Sequence, residues 1–352
     1  MSATAPGAAT PPAHAMSART QQMLHAPVVA TLFRLATPNV MGLFAMPLFI
    51  AYDGFILGRI GADALAGVAL VFPLSMLMMQ MSAGGMGGAV TGAVARALGA
   101  GRGDQASRLA QHAVFIAIVC AALFTLAQIV LGRSIYTAMG GRGAALAQAL
   151  AYSNVLFGGA LVFWVFNVLA SILRGSGNML LPSVTLLATA LLHLALSPLL
   201  VFGWGSFQGW GVAGAAASAL TVNVLGAAVM ARQLLRRGGA VHLHRLPWRL
   251  SADLLRDILR VGIPASLNPV LANSAIAVST ALVGSFGMAA LAAYGVAARL
   301  EYILVPIAFG FGTALTAMVA TNMGAGQPQR ALRVAWTGGA VVAAITGTIG
   351  LA

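Results

Sequence analysis

Nine apolar runs follow one another along this chain, at roughly 35–57, 64–95, 109–131, 147–173, 179–203, 209–233, 254–284, 288–321 and from about 330 to the last residue. A helix needs about 20 residues to cross the hydrocarbon of a bilayer, so each run is long enough to span one. The gaps are short and carry glycine-rich turns: GRIGAD, GAGRGD, GGRG, RGSGN, WGSFQGWG, GSFG and GAGQP. Polar and apolar residues do not alternate with period two, which argues against a transmembrane barrel. The expected fold class is an all-α polytopic membrane protein of about nine transmembrane helices. Charge supports this, because charged residues make up 7% of the 352, whereas a soluble domain carries about a quarter.

The formal net charge of +13 comes from 19 arginines against six acids, with no lysine. In a soluble chain that balance would suggest nucleic acid. Here the arginines sit in gaps between apolar runs, the pattern of loops held against an anionic leaflet. With a cytoplasmic N-terminus, 15 arginines fall on the inner side, three (Arg59, Arg133, Arg142) on the outer side, and Arg299 inside the eighth run. That bias predicts a multi-pass protein of the bacterial inner membrane with its N-terminus inside. Residues 1–33 are rich in Ala, Pro, Ser and Thr and lack a signal-peptide pattern, so an uncleaved, disordered cytoplasmic tail is expected. Cys120, the lone cysteine, reads as a small buried core residue.

An internal repeat organises the rest. RLATP at 34–38 matches RVGIP at 260–264, and GRIGADALA at 58–66 matches GSFGMAALA at 284–292, both at an offset of 226. GAG at 99–101 matches GAG at 324–326, and QASRLA at 105–110 matches RALRVA at 330–335, both at 225. A single-residue gap between 66 and 99 reconciles the four pairs. Each pair lies on one side of the membrane, so the repeats run parallel about an axis along the membrane normal. The division expected from this is a first lobe of six helices at 34–237, a basic linker at 238–253 and a second lobe from 254 to 352 with about three helices. Residue 352 is the counterpart of Ala127, within the third run, so the copies of runs four to six fall outside this sequence and the chain reads as a truncated one.

Among the acids, Asp63, Asp104, Asp253 and Asp257 fall at helix ends or in loops, where solvation and capping account for them. Asp53 and Glu301 lie inside runs, where an ionisable group is costly unless it serves a cavity or a partner. Asp53 sits about 8 Å below Gly58 at helical rise, on a segment bent by Pro38 and Pro47. Burial disfavours the charged form of a carboxyl, which makes Asp53 a candidate proton switch; capping of the helix end or a pair with Arg59 is the structural alternative. His193 and Ser197 share a helix face at i, i+4, at depths of roughly 15 and 9 Å, so one cluster with Asp53 is geometrically allowed. Asn167, in the fourth run, and the Arg299/Glu301 pair are the other polar candidates. No His pair, paired Asp or Cys set points to a membrane-embedded enzyme, and no cofactor is implied.

The run from Asp53 to Gly101 resembles the first two helices of the multidrug and toxic compound extrusion (MATE) family. So do LRGSGN, SPLLVFGW…GWGVAGAAAS and AYGVAARLEYILVPIAFGFGTALTAMVATNMGAG. The resemblance covers residues 34–352 and lies nearest the DNA-damage-inducible-protein F branch. It implies a bundle of two parallel six-helix lobes, here with a complete first lobe and an incomplete second. It also implies antiport of cationic or amphipathic organic compounds by alternating access, coupled to inward H⁺ or Na⁺. Residue by residue, Asp53 matches the first-helix carboxylate, Pro38 the proline at the bend, Asn167 a cavity-lining asparagine, and Arg299 and Glu301 an eighth-helix Arg-x-Glu. The fifth helix departs from the family pattern: His193 and Ser197 before Pro198 replace an asparagine and an aspartate. That loses oxygen ligands a Na⁺ site would want and favours H⁺ through Asp53, with His193 as its partner. A lipid or oligosaccharide flippase of the same superfamily and a non-transporting remnant are the alternatives. Partners implied are small organic molecules and membrane lipid, with no nucleic acid; the oligomeric state is left open.

Overall fold

The computed structural model describes residues 16–236, 239–243, 247 and 249–351; the side chains of 277, 280, 281, 284 and 288–303 are outside that description. The helices are α1 (Ala18–His25), α2 (Val28–Leu43), α3 (Ala45–Gly58), α4 (Ala62–Gln80), α5 (Met86–Gly99), α6 (Gly103–Ala138), α7 (Gly143–Gly158), α8 (Ala160–Gly175), α9 (Leu180–Phe202), α10 (Val212–Leu235), α11 (Ala252–Gly284), α12 (Met288–Gly324) and α13 (Pro328–Leu351). A two-residue hairpin, β1 (Gly203–Trp204) on β2 (Phe207–Gln208), turns α9 into α10 and leaves Trp204 and Trp210 exposed. Among the described residues seven segments are long and apolar enough to cross a membrane. An eighth counts if α7 and α8, bent by 47°, form one span. Helix α11, part of whose side chains go undescribed, is the continuous helix expected at 254–284.

Ordered structure starts earlier than the sequence suggests. Instead of a disordered tail to residue 33, α1 begins at Ala18 under a Ser17 cap that accepts from the Thr20 amide. Met23 and Leu24 are buried, and Asn322 of α12 donates to the Met23 carbonyl. The stretch expected as a linker also docks where it is described: the His242 amide donates to Ser107 and the Ser251 amide to His112 Nε2. Cys120 is half-buried at the edge of the main core rather than inside it.

Each repeat leaves its mark on the packing. A β-carbon on Gly99 would collide with the Thr321 carbonyl, and one on Gly324 with the Arg96 carbonyl. At the offset of 225, Gly99 corresponds to Gly324 and Arg96 to Thr321, so one contact is the other seen after a half-turn. A second reciprocal pair lies deeper: Gly85 abuts Ser266 of α11, and its counterpart Gly310 abuts Val40 of α2, itself the counterpart of Ser266. Helices α5 and α12 therefore cross at the pseudo-twofold axis with their backbones in contact. Glycine is needed there because no side chain fits between carbonyl and helix, and small residues drive helix association where hydrocarbon surrounds the bundle.

The one-residue gap in the repeat has a structural counterpart. Between α4 and α5 the chain makes a π-helical turn, Met81–Gly85, whereas α12 runs as an uninterrupted α-helix. A π-turn closes each hydrogen bond one residue later than an α-turn. It therefore absorbs one extra residue without shifting the helix on either side. The extra residue falls before Gly85, where the reciprocal contacts already follow the offset of 225.

Candidate functional site

The site is built where α3, α9 and α10 meet. Helices α2 and α3 pass as one span interrupted at Phe44. Pro47 has no amide to bond the Leu43 carbonyl, and the break falls one turn before it. Pro38, by contrast, lies inside the unbroken α2. Beyond the break, Phe49, Tyr52, Asp53, Ile56 and Leu57 fall on one face of α3 at spacings of three and four. Ile56 and Leu57 pack with Ala64, Val201, Val212 and Ala215 into a small apolar cluster that seats α3 against α9 and α10.

On this seat the Asp53 carboxylate meets His193. Asp53 Oδ1 lies 2.7 Å from His193 Nε2, and His193 Nδ1 lies 3.0 Å from the Ser218 hydroxyl on α10. The imidazole is fully buried, and the Phe49 ring stacks on it with centroids 3.9 Å apart. Asp53 keeps 12% of its side chain accessible, so the carboxylate is the entrance to the chain and the imidazole its interior. Tyr152 of α7 lies within electrostatic range of Asp53, while Arg59 sits over the Phe55 ring at 5.8 Å and is not the partner of Asp53.

The chain Asp53–His193–Ser218 holds protons in more than one arrangement without moving its heavy atoms. With Asp53 ionised and the imidazole neutral, Nε2–H donates to the carboxylate and Nδ1 accepts from the serine. With one proton more, both imidazole nitrogens donate and the serine hydroxyl turns to accept, since a hydroxyl is donor and acceptor alike. The pair then passes from a net charge of −1 to zero.

The expected site residues are distributed unevenly. Asp53 and His193 are in contact. Ser197, one turn further along α9, is fully buried, and its hydroxyl makes no hydrogen bond among the described residues. Asn167 is not part of this cluster: its amide donates to Ser82 at the start of the π-turn (3.0 Å) and to the Phe163 carbonyl (3.0 Å). The side chains of Arg299 and Glu301 lie outside the described residues. Ser218 and Phe49 were not read from sequence. Ser218 is six residues into α10, about 9 Å deep, the depth inferred for Ser197 rather than for its partner His193, so depth alone did not signal the contact. Among the described residues no three His, Cys, Asp or Glu side chains converge as a metal-binding group.

Comparison with known proteins identifies the fold and the family. The MatE family model matches residues 38–199 and 264–352. A protein of Shewanella oneidensis named FAD transporter is 26% identical over 315 residues, covering 88% of this chain and 68% of that protein. The probable multidrug resistance protein NorM of Thermotoga maritima is 26% identical over 309 residues, covering 86% and 65%. The multidrug export protein MepA of Staphylococcus aureus is 22% identical over 298 residues, covering 84% and 65%. The chain thus spans about two thirds of the length of these curated relatives. Among solved structures, the outward-facing conformation of a multidrug resistance MATE transporter superposes with a TM-score of 0.85 at 26% identity, over 96% of this chain and 73% of that one.

Proposed function

The chain belongs to the MatE family of multi-pass membrane transporters, and on that premise we propose that it serves in antiport of organic compounds out of the cell, driven by inward H⁺. The observation that carries the reading is the buried hydrogen-bonded chain Asp53–His193–Ser218, whose donors and acceptors could accommodate one further proton without rearrangement of heavy atoms. Where a cation site would want several carboxylate and amide oxygens, this one offers a single carboxylate, an imidazole and hydroxyls. That donor set suits a proton better than Na⁺. The arginine distribution supports an inner-membrane protein with its N-terminus inside.

The substrates proposed are cationic or amphipathic drugs and toxic organic compounds, of which the names of the multidrug relatives support only drugs in general. A second reading takes its support from the Shewanella relative: an anionic, amphipathic dinucleotide such as FAD would be carried instead. The test is accumulation of a fluorescent lipophilic cation in cells expressing the chain, beside flavin assayed in the medium. Asp53→Asn is expected to abolish extrusion at every external pH. Extrusion by that variant at the wild-type rate would refute the role of Asp53, and flavin release without cation extrusion would favour the second reading.

A further inference from the structure

Pro198 lies inside the continuous α9, one turn beyond Leu194. Having no amide hydrogen, it leaves the Leu194 carbonyl without the donor that every helical carbonyl four residues upstream expects. That carbonyl is not left empty. The Tyr52 hydroxyl, on α3, donates to it at 2.7 Å. Tyr52 is the neighbour of Asp53, and Leu194 is the neighbour of His193. The tether therefore joins the same two helices, at the same level, as the Asp53–His193 contact.

We propose that Tyr52 is a positioning residue for the proton site: through the carbonyl that Pro198 orphans, its hydroxyl fixes the register of α3 on α9 and so holds Asp53 at hydrogen-bonding distance from His193. This rests on the proton-coupled reading above. The physical need is clear from the surroundings. The break at Phe44 frees α3 from the direction of α2, and α3 contributes few buried residues, Ala45, Asp53, Ile56 and Leu57. An apolar seat of this kind tolerates sliding, whereas a hydrogen bond to one carbonyl does not. The titratable groups at this level are Tyr52 and Asp53 on α3, His193 on α9 and Tyr152 on α7; α10 contributes the uncharged Ser218.

The test separates a tether from mere satisfaction of a buried carbonyl. In Tyr52→Phe both roles are lost. In Tyr52→Phe/Pro198→Ala, the new amide at 198 pairs with the Leu194 carbonyl inside α9, so satisfaction is restored and the tether is not. The readout is the pH titration of the His193 imidazole nitrogens by ¹⁵N NMR in the purified chain, assigned by difference from His193→Asn, with thermal unfolding measured alongside. The expected result is a titration midpoint displaced by about half to one pH unit in both variants, the displacement one hydrogen bond can supply, with unfolding recovered in the double variant alone. Return of the wild-type titration in the double variant, or no displacement in Tyr52→Phe, would overturn the proposal. The readout does not depend on transport: a wild-type chain whose efflux ignores pH would sink the proton-coupled reading and leave the tether to be decided by the NMR.

Discussion

Replacing Gly99 with alanine tests the pseudo-twofold crossing of α5 and α12. The added methyl would meet the Thr321 carbonyl and backbone rather than the tip of a flexible side chain, so only separation of the helices can relieve it. Overpacking of this kind costs about 1–3 kcal/mol, against a gain of up to about 1 kcal/mol from replacing glycine inside a helix. A net loss of about 0–3 kcal/mol is expected for Gly99→Ala, and the same for Gly324→Ala, which meets the Arg96 carbonyl. Because both methyls push apart one interface, the second costs less once the first has opened it. The double variant is therefore expected to fall short of the sum by at least about 0.5 kcal/mol, as neighbours in contact do. Gly88→Ala, in the same helix with open space around it, supplies the control and should be neutral or stabilising. The assay is equilibrium unfolding in detergent of the four variants beside wild type. Strict additivity of Gly99→Ala and Gly324→Ala, or a loss in Gly88→Ala as large as in Gly99→Ala, would refute the reciprocal contact.

Two further outcomes follow from the polar contacts. The Arg96–Asp257 pair joins α5 to α11 at 2.8 Å, but each side chain is about 40% exposed; a double-mutant cycle with Arg96→Ala and Asp257→Ala is expected to return no more than about 1 kcal/mol, and less in high salt. Ser218→Ala leaves the buried Nδ1 of His193 without a partner and should cost about 1–3 kcal/mol in thermal unfolding, while Ser218→Thr, which keeps the hydroxyl, should cost less.

Much of this architecture was legible because lipid imposes a coarse, strong constraint. Apolar runs must become helices, and most boundaries among the described elements fall at a Gly, Pro or Arg turn visible in the sequence, those at Ser17, Phe44 and Gln80 being the exceptions. The repeat was legible to the single residue, although not the reason for its gap, since a π-turn has no composition of its own. Asp53 and His193 stood out because ionisable groups are rare at membrane depth. Ser218, Phe49 and Tyr52 did not, because serine, phenylalanine and tyrosine are ordinary in such helices and only their facing across α3, α9 and α10 gives them a role. The order at Ala18–His25 was missed for a related reason: the helix is polar overall and buries only Thr20, Met23 and Leu24, against α12 residues some 300 positions away. Pro38 and Pro47 were both read as bending points; α2 runs unbroken through Pro38, and the interruption at Phe44 lies one turn before Pro47, which cannot bond the Leu43 carbonyl.

The central claim, that the Asp53–His193 site is loaded by protons, is tested most directly in proteoliposomes carrying the purified chain and an organic cation. A pH gradient and a Na⁺ gradient would be imposed separately, for wild type and Asp53→Asn. The account predicts flux driven by the pH gradient alone in wild type and by neither gradient in Asp53→Asn. Flux driven by Na⁺ at constant pH, or pH-driven flux that survives Asp53→Asn, would contradict it.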